Sequence, residues 1–169
     1  EELPKRQDEL TITGHAFESR LYAEDVPKGF LPATGTLAHL AFPEGARADS
    51  GVRTNDTISP FYDPMIAKII THGPSRAVAL KRMARALAQT QVAGTVTNLS
   101  FLGALCAHEG FAAGDVDTGL IGRDLDSLVQ APLPSDEERA LAALVALGLT
   151  GAGWPTGFHL WSAMKRQVS

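Results

Sequence analysis

The sequence predicts an α+β fold: an antiparallel sheet covered by two or three helices, then a linker and one further buried helix. Three observations predict it. Short runs that alternate apolar with polar residues fill positions 10–71 and are broken by Pro, Gly, Asn and Asp turns. Apolar residues at helical spacing fill positions 75–128, and Gln130-Ala131-Pro132-Leu133-Pro134-Ser135 has the composition of a linker. The predicted organisation is a domain over residues 1–129, a linker over 130–135 and a helical segment over 136–169.

Residues 1–9 are charged and contain Pro4, which makes them an extended lead-in. Residues 10–13 supply β-branched side chains that start the first strand, with Gly14 as a bulge or turn before the main run. That run places Phe17, Ser19, Leu21 and Ala23 on one side and Glu18, Arg20, Tyr22 and Glu24 on the other, as a period of two requires. An arginine held mid-strand among carboxylates has two readings: an ion pair with Glu18 or Glu24, or a fixed planar fork presented to an anion. The segment 30–35 carries Phe30 and Leu31 but also Pro32, which keeps it out of a central strand. Strands are expected over 36–42 and 46–54, with a short one over 58–61. Residues 65–71, Met-Ile-Ala-Lys-Ile-Ile-Thr, are apolar enough to form the central strand.

Ser75 caps a helix running to about Gln91, with Leu80, Met83, Ala84 and Leu87 on one face and Arg76, Lys81, Arg82 and Arg85 elsewhere, and Gly94 closes it. Asn98 caps a second helix whose Leu99, Leu102 and Leu105 repeat at helical spacing. Residues 111–119 read as a loop, and Leu120, Ile121, Leu125 and Leu128 as a third helix. Ser135-Asp136-Glu137-Glu138 is a capping box for a helix through Leu147, apolar almost all round and so expected to be buried. Beyond it, Phe158, Leu160 and Trp161 form an aromatic patch that implies further sequence or a partner.

Composition narrows the function. The chain has 169 residues, a net charge of −4 and 44% hydrophobic residues, a globular balance that argues against nucleic acid and anionic membranes as partners. No apolar run is long enough to span a bilayer. The lone Cys106 fits a reducing compartment. The first residue is Glu1, so the chain is expected to be a piece of a longer or processed protein.

The ordered set Gly-His-Ala-Phe-Glu-Ser-Arg-Leu-Tyr-Ala-Glu-Asp (14–25), Phe-Leu-Pro-Ala-Thr-Gly (30–35), Gly51-Val52-Arg53 and Tyr62-Asp63-Pro64-Met65-Ile66-Ala67-Lys68, with Thr97-Asn98 and Asp117-Thr118, closely resembles the C-terminal domain of biotin carboxylase. Loop wording at 30–35 and 114–119 is most similar to the biotin-bearing (alpha) subunits of 3-methylcrotonyl-CoA carboxylases, with propionyl-, acetyl- and geranyl-CoA carboxylase subunits close behind. The resemblance implies ATP- and bicarbonate-dependent carboxylation of biotin, the carboxyl group passing later to an acyl-CoA. Arg20 matches the arginine that stabilises the enolate-like oxygen of the biotin ureido ring, a role that suits a permanently charged fork. Asp63 matches an aspartate that would orient Arg20 or close the site; an Asx turn before Pro64 is the alternative. Arg53 matches an arginine at a dimer face, which makes it, with Phe158 and Trp161, a candidate for a subunit interface.

In such enzymes ATP and Mg²⁺ are held by an upstream ATP-grasp region and biotin by a carrier domain, so the expected partners are the remainder of the alpha subunit, the biotinyl carrier domain and the carboxyltransferase beta subunit. The chain alone is expected to be inactive, and residues 136–169 to begin the region that contacts the other subunit. The expected location is the cytoplasm, or the mitochondrial matrix in a eukaryote. Ala163-Met164-Lys165 echoes a biotinylation site but lacks its flanking Glu and second Met, so Lys165 is not taken as an attachment point. The rival reading is a non-catalytic interaction or assembly module of the same family, motivated by the aromatic tail.

Overall fold

The structure is a computed structural model that describes residues 4–130 and 133–149. It divides into two units, Glu1–Ala131 and Pro132–Ser169. In the first, the strands in chain order are β1 (His15–Tyr22), β2 (Glu24–Asp25), β3 (Leu31–Pro32), β4 (Gly35–Thr36), β5 (His39–Ala41), β6 (Arg47–Ser50), β7 (Thr57–Ile58), β8 (Met65–Gly73) and β9 (Gln91–Ala93). The helices are α1 (Arg76–Gln89), α2 (Leu99–Ala107), α3 (Glu109–Ala113) and α4 (Leu120–Leu128). With every strand pair antiparallel and helices gathered in the second half, the fold is α+β.

β8 is the centre of a three-stranded sheet in the order β1-β8-β6, as its apolar run predicts. Ile66, Ala67, Ile69 and Thr71 on it are buried. β1 alternates as expected, with Leu21 fully buried and Glu18 and Arg20 exposed, and Ala23 just beyond it is also fully buried. Residues 10–13 do not join it. Gly14 adopts φ +69°, which turns the chain before His15 and leaves Ile12 wholly exposed.

The remaining strands do not extend this sheet; they form the separate ribbons β2-β3, β4-β7 and β5-β9. The strand expected over 36–42 is thus two strands with different partners. Leu37, at 0% exposure, is the reason: its N–H donates to the Asp56 carbonyl and its carbonyl accepts from Asn55 N–H, so the chain changes neighbour where that side chain enters the core. Segment 30–35 stays out of the three-stranded sheet, as Pro32 predicts; Phe30 packs edge-on against Phe101 while Leu31 is 56% exposed.

Ser75 caps α1, its hydroxyl accepting from Val78 N–H at 3.4 Å. Ala79, Leu80, Met83, Ala86 and Leu87 are buried on one face, in a cluster that includes Ile69 of β8. Burying each large side chain contributes about 1.5–3 kcal/mol. Gly94 does not close α1. Thr90 does, its N–H reaching the Ala86 and Leu87 carbonyls before the chain enters β9. Arg76 is not a solvated basic residue either: its guanidinium lies 5.0 Å from the Phe17 ring centre and 5.7 Å from that of Phe111, and it donates to the Phe111 carbonyl at 2.6 Å.

The loop expected from residue 111 is preceded and partly replaced by α3. His108 starts it by accepting from Phe111 N–H at its Nδ1, while its Nε2 lies 3.1 Å from Asp124 Oδ2 on α4. A helix this short has no period to read in the sequence. In the second unit, α5 (Asp136–Ala146) begins with the expected capping box between Ser135 and Glu138. Its burial is not as expected, since no residue of α5 is buried. Leu141, Leu144 and Val145 form a stripe at i, i+3 and i+4 rather than an all-round apolar surface, and the alanines between them need no cover.

Candidate functional site

β1 positions Arg20 by two constraints. Buried Leu21 beside it anchors the strand from below, and the register Arg20↔Lys68↔Asp49 fixes its neighbours across the sheet. The outer face is a charge mosaic. Arg47 grips Asp49 with both Nε and Nη2 at 2.9 and 3.0 Å, and Lys68 Nζ lies 3.7 Å from the same carboxylate, so Asp49 balances those two cations. Arg20 Nε donates to Glu18 Oε1 at 3.2 Å, and its side chain is 62% exposed. Hydrogen bonding to Glu18 and then Tyr22 holds its pKa above the usual arginine value, so the charge is permanent. The Arg47 and Lys68 cations beside Asp49, hydrogen bonding from Arg47 first, hold that carboxyl below the usual range.

Beside Arg20 opens a hollow of about 370 Å³. Arg20, Tyr22 and Glu24 line its polar side; Leu102, Leu105 and Phe111 line its apolar side. Burial, then the nearby Asp63 charge, raises the Glu24 carboxyl above its ordinary value. Cys106 also lines the hollow, and burial pushes its thiol up to about 11, which makes it an inert packing group.

Asp63 accepts from Met65 N–H at 2.9 Å, closing an Asx turn across Pro64. Among the described residues no hydrogen bond joins it to Arg20; its recorded electrostatic neighbour is Glu24. Arg53 is exposed in a turn closed by its own N–H to Asp56 Oδ2 at 3.0 Å, far in sequence from the Arg20 hollow and not among the residues lining it. Phe158, Trp161 and Lys165 lie outside the described residues. Asn98 is a site residue that the sequence reading assigned to a different task. Its side chain makes no cap bond to α2; instead Oδ1 accepts from Tyr22 N–H at 2.9 Å and Nδ2 donates to the Arg20 carbonyl at 3.2 Å. Among the described residues no group of His, Cys, Asp and Glu is suited to hold a metal ion.

The family model for the biotin carboxylase C-terminal domain matches residues 18–123, from the Glu18–Arg20 pair into α4. The chain belongs to that family. Within the biotin carboxylase C-terminal domains, its relatives include the methylcrotonoyl-CoA carboxylase alpha subunit, mitochondrial, of Arabidopsis thaliana, 45% identical over 149 residues that cover 86% of this chain and 20% of the plant protein. The subunit of the same name from Dictyostelium discoideum is 46% identical over 146 residues, covering 83% of this chain and 21% of that protein. Among solved structures, the biotin carboxylase domain of a thermophilic 2-oxoglutarate carboxylase bound to bicarbonate matches with a TM-score of 0.74 and 30% identity, over 78% of this chain and 30% of that one. The chain therefore spans about 20% of the length of the curated relatives it matches.

Proposed function

We propose that this chain is the C-terminal part of the biotin carboxylase component of an acyl-CoA carboxylase, and that it supplies one wall of the site at which bicarbonate and ATP carboxylate biotin. The observation that carries this reading is Arg20: a permanent cation whose Nε is held by Glu18, 62% exposed, lining a 370 Å³ hollow. Biotin, when presented by its carrier domain, supplies the ureido nitrogen that accepts the carboxyl group. Arg20 fits the complementary task, since a fixed guanidinium aimed at an oxygen that gains negative charge stabilises it without a proton transfer. Asp63 supports the site by holding the 62–65 turn and by its charge beside Glu24.

ATP and Mg²⁺ belong, in this reading, to the remainder of the alpha subunit, and the acyl-CoA to a carboxyltransferase beta subunit. Methylcrotonoyl-CoA is the acceptor favoured by the names of the relatives. Residues 136–169, with Phe158 and Trp161, and Arg53 on the first unit, are the proposed subunit contacts. Their setting would be the cytoplasm or, as for the named relatives, the mitochondrion. No described helix is long and apolar enough to cross a membrane. The exposed Leu141–Leu144–Val145 stripe supports a second reading, in which the chain serves assembly alone.

One experiment separates them. In the full alpha subunit, biotin-dependent ATP cleavage with bicarbonate should fall about 10²–10³-fold in kcat for Arg20→Ala, the loss typical of removing one charge-stabilising donor, with KM for ATP unchanged. Unchanged turnover would leave Arg20 a surface ion pair and the assembly reading in its place.

A further inference from the structure

β1 lies at the edge of its sheet, paired with β8 on one side only. An edge strand carries unpaired backbone groups and is free to twist, yet this one bears the charge on which the proposed chemistry depends. Asn98 closes that edge at Arg20. Its backbone N–H donates to the Tyr22 carbonyl at 3.1 Å, its Oδ1 accepts from Tyr22 N–H at 2.9 Å, and its Nδ2 donates to the Arg20 carbonyl at 3.2 Å. The side-chain amide thus pairs with β1 as the peptide group of a further strand would, at the residue that carries the guanidinium.

The environment makes this arrangement stiff. Asn98 is 5% exposed, and both ends of its amide bond to β1 rather than to its own helix. It stands at the start of α2, whose Phe101 and Cys106 are buried, and it lines the same hollow as Arg20. A residue that fixes the peptide group leaving Arg20 and the two that flank Tyr22 fixes the backbone from which the guanidinium projects.

We infer that Asn98 is a positioning residue for Arg20, acting through the β1 backbone and not by contact with the reacting groups. The inference rests on the reading of Arg20 as the catalytic charge. A displacement of about 1 Å in a group so used costs on the order of 10²-fold in rate.

The test uses the full alpha subunit and four forms: wild type, Arg20→Ala, Asn98→Asp and the double variant. Asn98→Asp keeps an acceptor for Tyr22 N–H and a residue type favoured before a helix, while setting a carboxylate oxygen against the Arg20 carbonyl. Biotin-dependent kcat is expected to fall about 10–100-fold for Asn98→Asp, and no further when Arg20 is already alanine. Asn98→Ala, measured alongside with thermal midpoints, covers the case in which the aspartate variant does not fold. If Arg20→Ala loses activity but Asn98→Asp does not, or if the two losses multiply in the double variant, Asn98 is only a structural residue and the inference is overturned. If Arg20→Ala itself keeps full biotin-dependent turnover, the underlying reading fails and takes the inference with it.

Discussion

Glu24 and Asp63 are two carboxylates placed close enough that one feels the other. Burial first, and the Asp63 charge second, raises the Glu24 carboxyl. A carboxyl whose folded pKa lies above its unfolded one binds its proton more tightly in the native state. Its contribution to stability is therefore fullest at low pH and declines as pH rises from the unfolded value through the folded one. Asp63→Asn keeps an oxygen to accept from Met65 N–H while removing the charge. Urea unfolding should find the variant more stable than wild type at pH 7 by a few tenths of a kcal/mol, as suits a partly solvated pair, and the gain should vanish at about pH 3. A variant less stable at pH 7 would show that the Asp63 charge serves something other than its neighbour. At this scale the alternation of 17–24 made the exposed face of Arg20 legible in the sequence. The task of Asn98 was not, because asparagine before a helix reads equally as a cap, and only the fold brings it 78 residues back to Arg20.

Elements were legible in proportion to their length. β8, α1 and α4 hold enough residues for a period of 2.0 or 3.6 to repeat, and the capping box of α5 is a local signal that needs no tertiary context. β2, β3, β4 and β7 have two residues each, too few to show alternation, and α3 has five. Gly94 shows how such short elements are specified instead. It follows β9 at φ +109°, where an added Cβ would collide with the Thr36 carbonyl oxygen and lie 2.7 Å from Ala38 N. It thus holds β9 against the chain between β4 and β5, a close approach of backbones that the sequence shows only as a glycine after a helix. Gly94→Ala should destabilise the first unit by at least about 1–3 kcal/mol, the scale of strain for a side chain forced into that conformation. The check is the thermal midpoint together with loss of amide protection at Ala41 and Gln91, which pair across β5 and β9. A neutral substitution would mean that the ribbon tolerates separation.

In the first unit the core is not one block. Leu21, Ala23, Leu37, Ile58, Ile66 and Ala67 cluster beneath the Arg20 end of the sheet, while Ile69, Leu80, Met83, Ala86, Leu87 and Cys106 cluster between sheet and α1. Phe42 and Leu99 pack against both, so the two clusters are joined through them. Joined cores unfold together. Leu37→Ala and Met83→Ala, at 0% and 1% exposure, should each cost about 2–5 kcal/mol. As the two residues belong to different clusters, the costs should add to within about 0.5 kcal/mol. The sum approaches the whole stability of a typical domain, about 5–15 kcal/mol, so the double variant should be largely unfolded at 25 °C. Each single variant should still melt in one transition, with exchange protection at Ile66 and Ile69 lost together. Separate transitions at those two amides would show that the Arg20 end of the sheet opens on its own. Arg20 would then sit on a part of the fold able to open while the α1 cluster stays closed.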